Sequence, residues 1–235
     1  TSGGAQAVPG GFEDIAVSRL NAGLTSLLQS TYLGGTSADF GAEMALDSIG
    51  NVFVMGTTFS TDYPVTGSSV QTAFGGGGGD VVISRLSGNL TTLLQSTYLG
   101  GPSEDSGRAL LLDSGDNVLV VSNTNWSNWP GTAGGAQGSY GGGSFDLTVT
   151  RINPSLNAIS QSTYLGGSGF EECGGITLSD VNSAVVIGCS NSANFPGTDG
   201  GAQANHGGSY DIVITRLTSE LQGCSNNSQC VTAPG

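Results

Sequence analysis

Short apolar runs separated by turn residues dominate the chain. Ala42 to Leu46 is apolar and stops at Asp47-Ser48-Ile49-Gly50-Asn51, and Val52 to Met55 follows directly. Val81 to Leu86 sets Ile83 and Arg85 against Val82 and Ser84, and Leu93 to Leu99 closes the unit. Each run has the length, the Val, Ile, Leu, Thr and Tyr content and the Gly, Asn, Asp or Pro boundaries of a β-strand. No segment holds a 3.6-residue period over three turns, so the pattern predicts an all-β chain.

The runs recur. Gln29-Ser30-Thr31-Tyr32-Leu33-Gly34-Gly35 returns from Gln95 and again from Gln161, 66 residues apart each time. Asp14 to Leu20 returns in the same phase as Asp80 to Leu86, Asp146 to Ile152 and Asp211 to Leu217. Gly3-Gly4-Ala5-Gln6 comes back at 134–137 and 200–203. Four antiparallel strands per 66-residue unit is the arithmetic of a β-propeller blade. The expected fold class is a β-propeller-like array of about three and a half repeats. Residues 1–222 form the repeat domain, with units of about 14–79, 80–145 and 146–210 and a partial unit 211–222. Residues 223–235 form a cysteine-containing tail.

The motifs Ser30 to Gly35, Gly41 to Gly56, Ser60 to Pro64 and Asp80 to Leu86 resemble the SBBP-type bacterial β-propeller repeat. The resemblance implies a secreted or cell-surface protein and implies no reaction, because a fold does not fix a function.

Let one blade contain strands A, B, C and D in chain order. The sequence then reads C-D, A-B-C-D, A-B-C-D, A-B-C. It starts at Thr1 in mid-repeat, as expected after removal of a leader or trimming. Three blades and a fraction fall short of an ordinary closed propeller. Exposed edges template further strands, and head-to-tail contacts build rings or filaments. The expected function is an extracellular, self-assembling structural protein (filament, sheath or adhesin subunit). In it the N-terminal C-D strands complete the A-B-C blade of another copy. The alternative is a carbohydrate- or protein-binding propeller module of a larger secreted protein.

Charge narrows the partners. The chain has 18 acidic residues, 5 arginines and no lysine, a net charge of −13. Nucleic acid is excluded as an expected partner, because phosphate contacts need clustered cations. An anionic membrane surface is disfavoured, and no 18-residue apolar run offers a membrane helix. Partners are expected to be copies of the chain, with glycans as the other candidate.

Arg19, Arg85, Arg151 and Arg216 share one repeat position, five residues after Asp14, Asp80, Asp146 and Asp211. An odd separation puts Arg and Asp on opposite sides of the strand, so each Arg is expected to meet an acid from another strand or blade. A position repeated four times argues for structure over catalysis. Asp39, Asp47, Glu104, Asp105, Asp113, Asp116, Glu171 and Glu172 lie in loops and turns, where carboxylates cap their own backbone. They are also the candidate calcium ligands, and calcium is the candidate cofactor, although none fits the EF-hand spacing; zinc is disfavoured, with no CxxC and His206 the lone histidine. Tyr63, Trp129 and Phe195 occupy one loop position, with Trp126 beside the second. They are expected to plug gaps between blades, with sugar stacking as the other reading.

The four cysteines fall in the last third. Cys173 and Cys189 flank a predicted hairpin turn near Val181 at equal distance, and Cys224 and Cys230 enclose a short polar loop. The expected bridges are Cys173–Cys189 and Cys224–Cys230, which imply an oxidising compartment. Asn89, Asn125 and Asn226 lie in N-x-[ST] sequons. There is one histidine and no Gly-x-Ser-x-Gly elbow, and no enzyme activity is expected.

Overall fold

The computed structural model describes residues 2–180, 183–218 and 221, without the side chains of Cys173 and Asp180. Its described secondary structure is all β: β1 (Ile15–Leu20), β2 (Leu27–Leu33), β3 (Asp39–Leu46), β4 (Val52–Thr58), β5 (Asp80–Leu86), β6 (Leu93–Leu99), β7 (Asp105–Leu112), β8 (Val118–Thr124), β9 (Asp146–Ile152), β10 (Ile159–Leu165), β11 (Glu171–Asp180), β12 (Ser183–Ser190) and β13 (Asp211–Thr218).

The strands make four antiparallel sheets. Two are complete blades, ordered β3-β4-β5-β6 and β7-β8-β9-β10. Before them stands β1-β2, a C-D pair, and after them β11-β12-β13, an A-B-C set. The A strands begin earlier than the apolar runs suggest, because pairing continues past a bulge: Asp39 still faces Thr58 beyond the register shift between Gly41 and Glu43. The same shift recurs between Gly107 and Ala109 and between Cys173 and Gly175.

Cores lie between sheets. Strand residues alternate faces, so each blade offers one apolar set forwards and another backwards. Phe53, Met55, Val81 and Ile83 of the first complete blade pack against Val118, Val120, Ile152 and Leu156 of the second. Ile15, Val17 and Leu33 of the β1-β2 sheet meet Val52, Val54 and Tyr98. Val121, Leu147 and Val149 meet Val186, Phe195 and Leu217 of the last sheet. This is radial stacking of like sheets, each boundary using the same repeat positions.

The bulge also sets the backbone register at one predicted cysteine pair. Along β11 the register shifts twice, between Leu178 and Asp180 and between Cys173 and Gly175. Cys189 therefore lies opposite Glu172, and Cys173 opposite Gly188. Counting from the turn predicts direct opposition; the bulge between Cys173 and Gly175 offsets the backbone by one residue. Among the described side chains Cys189 forms no disulfide. Cys224 and Cys230, Asn226 and the tail 223–235 lie outside the described residues.

Candidate functional site

The recurrent sheet boundary is the feature from which a role can be argued. Leu24, Leu90, Leu156 and Leu221 occupy one position in the turn after strand C, and all have positive φ, between 51° and 61°. That backbone region costs a non-glycine residue roughly 1–2 kcal/mol. Three of the four are repaid by burial: Leu90 is 1% exposed, Leu156 and Leu221 0%. Each also accepts a hydrogen bond from the sheet before it. Ala5, Val70 and Ala136 donate their N–H groups to the carbonyls of Leu90, Leu156 and Leu221, each at 2.9 Å. The leucine thus pins successive sheets by an apolar plug and a backbone bond. Sequence reasoning missed it. The signal was a leucine at fixed phase, but nothing in the pattern announces a positive φ.

The glutamine of the Gly-Gly-Ala-Gln segment holds strand D. Gln6 accepts the Tyr32 N–H through its carbonyl at 3.0 Å and the Gly34 N–H through its side chain at 3.1 Å. Gln71 does the same for Tyr98 and Gly100, and Gln137 for Tyr164 and Gly166. The tyrosine is anchored at its tip. Tyr98 Oη donates to the Ser60 carbonyl at 2.8 Å and accepts from Tyr63 N–H at 2.9 Å. Tyr164 repeats this with Trp126 and Trp129.

Tyr63, Trp129 and Phe195 are 3%, 2% and 7% exposed, so this aromatic position fills the boundary between blades and presents no sugar-stacking platform. Trp129 Nε1 donates to Thr150 Oγ1 at 2.9 Å, satisfying its one polar atom in the core.

The arginines bond to the ends of neighbouring hairpins. Arg85 contacts Asp47 at 2.6 Å and Arg151 contacts Asp113 at 3.4 Å. Burial pushes the Asp47 carboxyl up, but hydrogen bonds from Asn51 and Arg85 outweigh it and hold it below its ordinary value. Arg216 donates to Ser183 Oγ at 3.2 Å. Arg19 belongs to a sheet without A and B strands and donates to the Gly88 carbonyl of the next blade at 3.0 Å.

The acids five residues earlier have another role. Asp14, Asp80, Asp146 and Asp211 accept the N–H groups of Gly10, Gly75, Gly141 and Gly207. A second carboxylate lies near each of the first three. Asp39 and Asp105 accept the N–H groups of Gly35 and Gly101, and Glu171 accepts that of Gly167 together with two serine hydroxyls. Asp80 and Asp146 are fully buried, and the Oδ1 atom of each has no hydrogen-bond partner. Burial pushes both up to about 7, against the N–H bonds from Gly75 and Gly141, with the nearby Asp105 and Glu171 adding to the rise. Burial likewise lifts Asp105 to about 6.

The remaining acidic loops are engaged by neighbouring loops and strands. Asp116 accepts from Ser48 N–H at 2.9 Å and Ser48 Oγ at 2.6 Å across a blade boundary. Glu172 pairs with Arg108 at 2.9 Å, and the Glu104 N–H donates to Asn125 Oδ1 at 2.9 Å. Among the described residues no three His, Cys, Asp or Glu side chains converge as a cation cage. Asn89 and Asn125 are exposed.

The fold and its boundaries define the class: a propeller-type array of four-stranded antiparallel blades. Residues 30–64 match the family model of the SBBP β-propeller repeat, so the chain carries a repeat of that kind. Comparison with curated proteins finds no match.

Proposed function

We propose that the chain is a non-catalytic structural module of an extracellular or cell-surface protein, and that its copies associate head to tail through their end sheets. The carrying observation is that the internal boundary is present in two exposed halves. On the first sheet Leu20, Leu24 and Leu27 are 47%, 76% and 64% exposed, whereas the equivalent Leu86 and Leu90 are 0% and 1%. On the last sheet Ile187, Ile212 and Ile214 are 42%, 73% and 69% exposed, whereas Met55, Val81 and Ile83 are all 0%. The two sets are partners at every internal boundary. Apolar patches at two ends of one molecule favour association, and complementary rather than identical patches make it heterologous. The clamp is duplicated too: Ala202, at the position of Ala5, Val70 and Ala136, would donate its N–H to the Leu24 carbonyl of the next copy.

Face stacking leaves β13 in place. Inserting a whole N-terminal C-D pair into the last sheet would bring a second C strand. The acidic, lysine-free composition supports an extracellular setting. The glycan reading loses its aromatic anchors to the blade boundaries.

Light scattering across a wide concentration range tests the proposal. Mass should rise with concentration in the intact chain and stay at the monomer value in Leu24→Asp. A monomer at several hundred micromolar would sink it.

A further inference from the structure

We infer that two internal sheet boundaries each bind one calcium-class cation, held by a carboxylate from either side: Asp80 with Asp105, and Asp146 with Glu171. These sites lie inside the array and do not depend on association through its end faces.

The pairs form because strand C of one sheet starts beside strand A of the next. The Gly79 carbonyl accepts the Asp105 N–H at 2.8 Å, and the Phe145 carbonyl accepts the Glu171 N–H at 2.9 Å. The glycine after strand D lies against the paired acids. A methyl group on Gly100 would sit 2.8 Å from Asp80 Oδ1 and 2.9 Å from Asp105 Oδ2, so both oxygens border one small space. A methyl group on Gly166 would strike Asp146 Oδ1 in the same way.

One oxygen of each pair is left without a partner. Asp80 Oδ2 accepts from the Gly75 N–H at 2.6 Å and from Gln71 Nε2 at 3.3 Å, and Asp146 Oδ2 accepts from the Gly141 N–H at 2.6 Å. The two Oδ1 atoms are buried with no hydrogen bond, in residues that are 0% exposed. A buried carboxylate oxygen without donor or counter-ion is costly, and a second carboxylate beside it raises the cost. Arg85 and Arg151 stand near the far end of strand C, against Asp47 and Asp113.

The first boundary shows how the oxygen is orphaned. There Asp14 Oδ2 accepts the Gly10 N–H at 2.6 Å, and Oδ1 accepts the Gly11 N–H at 3.3 Å. Gly10 precedes its acid by four residues, whereas Gly75 and Gly141 precede theirs by five. The longer loops pass through Gly76 and Gly142, both with φ of 118°, and bring no second N–H to the acid.

The surroundings supply further oxygen. A methyl group on Gly75 would lie 2.8 Å from the Gly100 carbonyl oxygen and 2.6 Å from that of Gly101. One on Gly141 would lie 2.5 Å from those of both Gly166 and Gly167. Each site thus offers two carboxylates rather than a cage of three, with backbone carbonyls close by. Calcium accepts this mixture and completes an irregular shell with water, whereas magnesium demands a strict octahedron.

The test titrates calcium, and terbium as its luminescent substitute, into chelator-treated full chain carrying Leu24→Asp, which removes end-face association from the result. Calorimetry should find one calcium ion per pair, and either Asp80→Asn or Asp146→Asn should halve that stoichiometry. Calcium should raise the melting temperature of the parent at pH 8 and leave that of the double variant unchanged. The Trp126 ring covers Gly101, beside the first site, and should sensitise terbium emission there. Asp80→Asn should weaken terbium binding at that site by about tenfold or more, while Asp14→Asn should leave it intact. Asparagine keeps an oxygen for Gly75 and Gly141, and in chelator the double variant should melt no lower than its parent, so lost binding reports the sites and not the fold. No saturable binding, undiminished binding in the double variant, or equal loss in Asp14→Asn would overturn the inference. Carboxyl pairs that merely share a proton would show themselves by a melting temperature indifferent to calcium, and that result too would overturn it.

Discussion

The carbonyl of Leu90 accepts the N–H of Ala5 across the first sheet boundary at 2.9 Å, while the Leu90 side chain is 1% exposed and its backbone has φ of 61°. A strained backbone position is held by burial on one side and a hydrogen bond on the other. Leu90→Ala should cost about 2–5 kcal/mol, the range for deleting a buried leucine. Leu90→Gly should be no worse, despite the smaller side chain, because glycine adopts positive φ without the Cβ penalty. Urea unfolding of the two variants decides this. A glycine variant much less stable than the alanine variant would show that the leucine is unstrained.

At the exposed end the same reasoning changes sign. Leu24 is 76% exposed with φ of 54°, so its side chain gives little to the isolated chain. Leu24→Gly should stabilise the monomer by up to about 1 kcal/mol, through relief at positive φ. It should also weaken association, because the plug is gone. Opposite movements of melting temperature and sedimentation-derived mass would be diagnostic; parallel movements would not fit.

A mixing experiment separates heterologous from isologous contact. Leu24→Asp leaves the last sheet intact, and Ile214→Asp leaves the first sheet intact. Each variant alone should be monomeric, and an equimolar mixture should stop at the dimer, with one good boundary. Mixtures that remain monomeric would exclude the complementary faces.

Stability should fall as pH rises through the neutral range. Asp80 and Asp146 have pKa values near 7 in the folded chain and Asp105 near 6, all above the ordinary carboxylate value. A raised folded-state pKa means the protonated group favours the fold. The contribution is complete below about pH 4 and is lost as pH climbs through 6 to 7. Asp80→Asn with Asp146→Asn keeps a carbonyl oxygen for Gly75 and Gly141 and removes the titration. The double variant should therefore melt higher than the parent at pH 8 and match it more closely at pH 5. The same pH slope in both proteins would refute the assignment.

The Asp47 carboxylate is fully buried and serves Arg85, Asn51 and the Ile49 N–H together. Asp47→Ala should cost about 3–5 kcal/mol, since it strands a partly buried guanidinium as well as the turn. Arg85→Met should cost less, because Asn51 and the backbone still satisfy the acid. Thermal melts of the two variants give the order, and the reverse order would show that the turn cap contributes little.

Much of this was legible along the chain. The strand set, its A-B-C-D phase and the unmatched C-D and A-B-C ends all follow from apolar runs and turn residues, because alternation and turn chemistry are local. The arginine position was visible as a repeat, yet its partner across the hairpin was not. Cys173 and Cys189 show the limit of counting. An added residue in β11 leaves the strand intact but moves every residue beyond it by one register step, and no residue type at Gly174 marks the bulge.

By itself the sequence determined what each strand is and in what order strands come, since those depend on side chains a few residues apart. Only the tertiary structure decided which positions meet. It placed Ala5 on Leu90, buried Tyr63 and Trp129 between blades, set Asp80 near Asp105, and left Leu24 and Ile212 as exposed counterparts of buried positions. These relations join residues a repeat apart or more. They arise because each sheet must cover the apolar face of the next, a requirement met in space and written at no single place in the chain.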